Sequence, residues 1–263
     1  MHQTRPPKVF LTGASSGIGM ALARQYARAG AIIGLVARRG DELAALAAEC
    51  RRAFPSCAVS TYTLDVRDAQ ALASAAAQFI AEHGPPDIVI ANAGISKGVA
   101  TGRGDLEAFR EVMDVNCFGM AATFEPFAGQ MAAARHGTLV GIASVAGVRG
   151  LPGSGAYSAS KAAALTYLES LRVEMRPHGV AVVTISPGYI RTPMTAHNPY
   201  PMPFLMDAER FAAKAARAIE RKSRFAIFPW PMRIAAALLR ALPRGLYDRV
   251  FEKAPRKPRQ SPS

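Results

Sequence analysis

Apolar and polar positions exchange two periods along this chain. Residues 8–12 form a short apolar run that ends at a glycine, and residues 31–37 are apolar at nearly every position, as in strands covered on both faces. Between them, Ile18, Leu22 and Tyr26 recur at helical spacing, which predicts a helix over 17–29. The exchange then repeats. Residues 41–53 are Ala/Leu-rich with Asp41 and Glu42 in the first turn, and read as a helix. Residues 58–64 alternate and are β-branched, as a strand. Residues 68–83 are helical and stop at Gly84-Pro85-Pro86, and 87–91 are the next strand. A long helix is predicted over 105–135 with a kink at Pro126, then a strand over 137–143, a helix over 155–176 and a strand over 180–186. Residues 187–203 are proline-rich and loop-like, 207–222 are helical, and 224–228 are a last short strand.

Regular β-α alternation predicts an α/β fold, a doubly wound parallel sheet of about seven strands with helices on both faces. No linker or further repeat interrupts it, so residues 1–229 are expected to form one domain. Residues 230–252 read as an amphipathic helical extension, and 253–263 as a basic, Pro/Arg/Lys/Ser-rich tail expected to be mobile.

Composition narrows the picture. Half of the 263 residues are apolar, enough for a sizeable core, and 19% are charged, which excludes wholesale disorder. Cys50, Cys57 and Cys117 are too sparse for a disulfide scaffold and lack metal spacing, so no metal is expected. The N-terminal residues carry no apolar signal core and no stretch reaches the length needed to span a bilayer, so a cytoplasmic chain is expected. The net charge of +13 is uneven. Residues 211–263 hold thirteen Lys/Arg against three acids, so ten of the thirteen net charges lie there. No nucleic-acid partner is expected, because charge alone, without a binding module or interleaved aromatics, does not make one.

Candidate chemistry begins at Gly13, Gly17 and Gly19, which follow the first strand and open the first helix. A turn free of Cβ atoms lets the backbone approach a pyrophosphate, and the helix N-terminus supplies donors and positive potential. About 20 residues on, where an acid would accept from a ribose 2′-hydroxyl, the second strand ends in Arg38-Arg39. Guanidiniums suit a phosphate clamp, which points to a 2′-phosphate and hence to NADP(H), with Ser15 and Ser16 adding hydroxyl donors; the alternative is a solvated lead-in to the next helix. Of seven tyrosines, only Tyr157 has a lysine, Lys161, four places on. That spacing places both on one helix face, where an ammonium would lower the phenol's pKa and fit it for acid–base work. Ser144 lies just past a strand, at the sheet edge where ligands bind, and its hydroxyl can hydrogen-bond a carbonyl oxygen. Asn116, mid-helix, suggests a water or backbone contact at a helix irregularity.

Together these residues resemble the classical short-chain dehydrogenase/reductases. The matching elements are Thr12-Gly13-Ala14-Ser15-Ser16-Gly17-Ile18-Gly19, Asp65-Val66, Asn92-Ala93-Gly94, Asn116, Ser144, Tyr157-x-x-x-Lys161 and Pro187-Gly188, in the family's order over about residues 8–228. The resemblance implies a Rossmann fold and a set of roles. Tyr157 would be the acid/base, and Lys161 would lower its pKa and bind the nicotinamide ribose. Ser144 would polarise the carbonyl, and Asn116 would hold a water in a proton relay to Lys161. Asp65 and Val66 would meet the adenine, and Asn92, Ala93 and Gly94 would line the cleft. Pro187, Gly188, Ile190 and Thr192 would approach the nicotinamide, whose pro-S face would deliver hydride. Arg38 stands where NADP-preferring members carry a basic residue. Members mostly pair through helices corresponding to 105–135 and 155–176, so a homodimer or homotetramer is implied.

The substrate is less legible. The resemblance implies that the segment after Pro187-Gly188 becomes the substrate lid, and here it holds Tyr189, Ile190, Met194, Tyr200, Met202, Phe204, Leu205 and Met206. This lining suits an apolar ketone, a long-chain 3-oxo lipid or a steroid-like molecule, unless these residues simply pack the loop onto the core. A dehydrogenase for small secondary alcohols would want a more polar lid, and a non-catalytic NADP(H)-binding regulator would not need the Ser144/Tyr157/Lys161 set. In the extension, Trp230 precedes a stretch with Ile234, Leu238, Leu239 and Leu242 on one side and Arg233, Arg240, Arg244 and Arg249 around them. Residues 230–252 read either as a peripheral membrane contact or as helix docked on the domain or a partner subunit.

Overall fold

The computed structural model describes residues 5–196 and 198–259; residues 1–4, 197 and 260–263, which include part of the N-terminal lead and the end of the basic tail, lie outside the described residues. The chain runs β1 (Lys8–Thr12), α1 (Gly17–Arg28), β2 (Ile32–Ala37), α2 (Gly40–Ala53), β3 (Ala58–Thr63), α3 (Ala69–His83) and β4 (Ile88–Ala91). It continues through α4 (Leu106–Met113), a π-helical turn (Asp114–Phe118), α5 (Gly119–Ala134), β5 (Thr138–Ile142), α6 (Gly155–Met175) and β6 (Ala181–Pro187). The last part holds β7 (Ile190–Arg191), α7 (Pro193–Ala196), β8 (Met206–Asp207), α8 (Ala208–Glu220), β9 (Phe225–Phe228), α9 (Pro231–Ala241) and α10 (Arg244–Phe251).

Seven strands form one parallel sheet in the order β3-β2-β1-β4-β5-β6-β9. Successive side chains on a strand point to opposite faces, and β1 shows the result. Val9 and Leu11 enter one apolar core with α1, α2 and α8, while Phe10 enters the other with α3, α5 and α6. In that second core Phe10 lies 4.8 Å from Phe127 and 5.6 Å from Phe79, ring centre to ring centre. Interior strands are therefore buried on both faces and mostly apolar, with Thr184 and Ser186 of β6 as buried exceptions. The alternating strand β3 is a sheet edge, with only Val59 and Tyr62 buried.

Two elements depart from the sequence reading. The predicted helix over 105–135 is broken at the π turn 114–118, and Pro126 sits inside a continuous α5. The loop over 187–203 contains the short β7, which pairs with β8, and one turn of helix, α7. No helix among the described residues is long and apolar enough to cross a membrane.

Candidate active site

The strand order reverses between β1 and β4, which opens a crevice at their carboxyl ends. The Asn92 side chain spans it, donating to the carbonyls of Thr12 (3.0 Å) and Gly13 (3.1 Å), while the Thr12 hydroxyl accepts from the Asn92 N–H at 3.2 Å. Gly13 has φ +69°, and a Cβ there would lie 2.6 Å from the Cα of Ala93, so only glycine fits. Helix α1 starts at Gly17, and Ser16 adopts an extended N-cap conformation without capping the helix through its side chain. The first-turn N–H groups and the Ser15 and Ser16 hydroxyls are thus placed beside a cleft that Gly13, Gly17, Ile18 and Gly19 also line. That is an anion cradle.

Arg38 and Arg39, at the end of β2, stand at the same cleft. Arg39 donates to the Ser15 hydroxyl at 3.0 Å and lies 3.3 Å from Glu42. Arg38 lies 3.7 Å from Asp65. Asp65 is gripped by Arg67 through two side-chain bonds of 3.0 and 2.7 Å and one from its N–H, which hold the carboxyl below its usual range. Paired in this way, Asp65 does not set a free negative charge against a phosphate. Val66, Ala93 and Gly94 complete this wall, together with Leu64 and Ile95, which the sequence reading did not single out.

The second half of the cleft is set by α6, which carries both Tyr157 and Lys161 to its wall. Lys161 is buried, donates to the Ile142 carbonyl at 2.9 Å, and is pulled down to about 8 by that burial. The Tyr157 phenol is pushed up by burial, with the neighbouring Ser144 side chain acting in the opposite direction. The expected lowering of the phenol by the ammonium is therefore not met in this conformation. The ammonium lies 6.0 Å from the ring centre, committed to a backbone carbonyl and itself desolvated. Ser144 follows β5 and caps a 3-10 turn, its oxygen accepting from the Ala146 N–H at 3.1 Å.

Asn116 explains where the long helix breaks. Its side-chain oxygen accepts from the Ile95 N–H at 2.8 Å and its amide donates to the Ile95 carbonyl and the Ser160 hydroxyl, both at 2.9 Å. A π turn absorbs one extra residue, and here it gives Asn116 the reach to pair with the loop after β4. Ser160 in turn donates to the Tyr157 carbonyl at 2.8 Å. Asn116 is fully buried and lies off the cleft surface, yet its oxygen and the Lys161 nitrogen come within 3.2 and 3.5 Å of where a Gly94 side chain would begin. The helix irregularity was legible from the sequence. Ser160 was not, since a serine in a helix carries no signal of its own.

At the end of β6 and past it, Pro187, Thr192 and Met194 line the cleft, whereas Gly188 and Ile190 do not. Ile190 is buried in the first core, and Gly188 is covered by Met232, whose Cγ lies 2.6 Å from where a Cβ would be. The extension docks beside the loop that follows β5. Met232 and Ala236 of α9 pack against Val145, Val148 and Tyr189. Arg149 donates to the carbonyls of Leu239 (3.1 Å) and Leu242 (3.0 Å), satisfying the end of α9, and lies over the Tyr247 ring at 4.2 Å. Tyr247 donates to the Gly150 carbonyl at 2.5 Å.

The tail, read from sequence as mobile, lies across the loops on this side as far as residue 259. Lys257 donates to the Ser96 hydroxyl at 2.8 Å, Arg259 forms a bidentate pair with Asp105 at 2.7 and 2.8 Å, and Arg259 bridges Gly98. Composition suggested mobility; specific partners for two of its cations oppose it.

Comparison with known proteins agrees with this geometry. The family model for short chain dehydrogenases matches residues 7–201. An oxidoreductase of Myxococcus xanthus is 40% identical over 91% of this chain and 94% of its own. Dehydrogenase/reductase SDR family member 7B of Bos taurus is 32% identical over 96% of this chain and 82% of its own. Among solved structures, a short-chain dehydrogenase from Sphingobium yanoikuyae in complex with NADPH superposes with a TM-score of 0.78 at 26% identity, covering 97% of this chain and 99% of that one. An alcohol dehydrogenase from Thermococcus sibiricus complexed with 5-hydroxy-NADP gives 0.76 at 26% identity, over 84% and 95%. With the family model matched over residues 7–201 and relatives this similar over nearly the whole chain, this chain belongs to the short-chain dehydrogenase/reductase family of oxidoreductases.

Proposed function

We propose that this chain is an NADPH-dependent carbonyl reductase acting on a hydrophobic ketone, a long-chain 3-oxo lipid or a steroid-like molecule. The observation that carries the reading is a single cleft lined by Tyr157 and Lys161 of α6 and by Arg38, Arg39 and Ser15 beside the glycine turn. The residues fit the cofactor. The Gly13 turn leaves no room for a side chain, and the start of α1 and the two guanidiniums offer donors to phosphates. When bound, the reduced nicotinamide supplies hydride to the ketone carbon. Ser144 hydrogen-bonds the ketone oxygen, Tyr157 protonates it as negative charge develops, and Lys161 holds a proton close to Tyr157. The buried Asn116–Ile95–Ser160 connection keeps the loop after β4 in register with α6.

NADP(H) preference is supported by the absence of an acid at the end of β2 and by the NADP-type ligands of the Sphingobium and Thermococcus neighbours. Replacing Arg38 by Asp should raise the Michaelis constant for NADPH by about tenfold to a hundredfold, the loss of a charge-assisted contact, and leave that for NADH little changed. Equal movement of the two constants would remove the 2′-phosphate from the argument.

The apolar substrate rests on Met194 at the cleft, the Tyr189–Tyr200 pair 6.4 Å apart in the lid, and the tail over the loops at Ser96 and Gly98. Removing residues 253–263 should raise the ketone Michaelis constant roughly tenfold, equivalent to about 1.4 kcal/mol, with that for NADPH unchanged. Steady-state kinetics on both substrates checks this. The substrate class itself is tested by NADPH oxidation with aliphatic, acyl-thioester and steroidal ketones. Turnover confined to small polar ketones would overturn it. Homo-oligomer formation through α4, α5 and α6 belongs to the same proposal, supported by the exposed Leu106, Phe109, Phe118 and Val173 on or beside those helices.

A further inference from the structure

The extension has two faces, and only one of them is used by the fold. Met232, Ala236 and Tyr247 are buried against the domain. Opposite the buried pair on α9, Trp230, Ile234 and Leu238 are 70%, 54% and 66% exposed at four-residue spacing. On α10, Leu246 and Val250 repeat the pattern and are also exposed. Isolated apolar residues on a surface need no explanation, but a stripe across two consecutive helices does. Around it stand Arg233, Arg240, Arg244 and Arg249, all exposed, and none of the four forms an ion pair among the described residues. The basic excess located in the sequence thus surrounds an apolar strip.

We propose that this face of α9 and α10 docks on an anionic lipid surface. Three occupants are conceivable, and charge and chemistry separate them. A second copy of this chain, meeting the strip about a two-fold axis, would bring the four arginines against their own equivalents with only the exposed Asp248 and Glu252 of α10 and its end to receive them. A nucleic acid would answer the charge but not Ile234, Leu238, Leu246 and Val250, which offer no stacking planes. Anionic headgroups over an acyl layer answer both. Apolar side chains enter the boundary, arginines meet phosphates and carboxylates, and a tryptophan at the helix start sits at the interface. The proposal uses no residue of the cleft and stands apart from the catalytic reading.

Trp230 is the only tryptophan in the chain, so its emission reports the contact directly. The full chain should co-sediment with vesicles of phosphatidylcholine and phosphatidylserine in equal parts, its emission shifting to the blue, and binding should weaken as salt rises. Vesicles of phosphatidylcholine alone should bind at least about tenfold more weakly. The double variants Ile234→Glu with Leu238→Glu, and Arg233→Glu with Arg240→Glu, should each lose at least about tenfold in affinity while keeping the wild-type circular dichroism and thermal midpoint. Equal binding to both vesicle types, no binding to either, or a variant that binds as wild type would overturn the proposal. So would an oligomer that the charged variants split into monomers, because the strip would then be a subunit contact.

Discussion

Replacing Tyr157 by Phe should abolish turnover, lowering kcat by about 10³-fold, while the dissociation constant for NADPH stays within a factor of two or so of wild type. The ring remains on α6 with its packing intact, and only the hydroxyl at the cleft is lost. That hydroxyl is the proton donor proposed for a carbonyl bound in the cleft that Tyr157 lines. The size of the effect follows from its role, since a positioned acid contributes about 10²- to 10⁴-fold and no other phenol lines the cleft among the described residues. Burial that pushes the Tyr157 phenol up keeps it protonated at neutral pH, the state in which it donates. The experiment is single-turnover NADPH oxidation beside a binding titration. Residual turnover within tenfold of wild type would assign the proton to another donor, and loss of cofactor affinity would make the hydroxyl a binding group instead.

Much of the frame was legible because it follows from two periods. β1 and β2 are covered on both faces and so are apolar through their middles without alternation, and β3 alternates because it is an edge. The glycine turn was legible because its spacing reflects a steric demand that the Ala93 backbone imposes. What escaped was set by distant partners. Asn116 marked an irregularity, but that it breaks the helix there depends on its meeting Ile95, 21 residues away, and no local property of Pro126, where a kink was expected, reveals that an α-helix passes through it. The path of the tail depends on Ser96 and Asp105, more than 150 residues upstream. The direction of the phenol shift escaped for a related reason: four-residue spacing places Lys161 on the right face, but the Ile142 carbonyl decides where its ammonium goes.

Replacing Gly19 by Ala is the smallest change in the chain with a large expected effect. A Cβ at Gly19 would overlap the Gly13 carbonyl oxygen and lie 2.6 Å from the Asn92 side-chain nitrogen. Neither neighbour can yield cheaply. Gly13 is held by φ +69° and by its contact with Ala93, and Asn92 is committed to the Thr12 and Gly13 carbonyls. Nor can α1 back away, because Ala21, Leu22, Ala23 and Tyr26 are buried on it. Overpacking of this kind costs about 3 kcal/mol, which for a chain of this size lowers the thermal midpoint by roughly 6–12 °C. NADPH affinity should fall with it, since the displaced atoms form the turn that faces the phosphates. Gly129→Ala is the internal control: it lies in α5 with nothing within 4 Å of the added carbon, so the same methyl should raise stability by up to about 1 kcal/mol through helix propensity alone. Opposite signs for one identical chemical change, read by thermal unfolding with and without NADPH, would locate the effect in the close approach of β1, β4 and α1. A Gly19→Ala protein as stable as wild type and still binding NADPH would mean that the turn has slack, and the cradle would lose its steric basis.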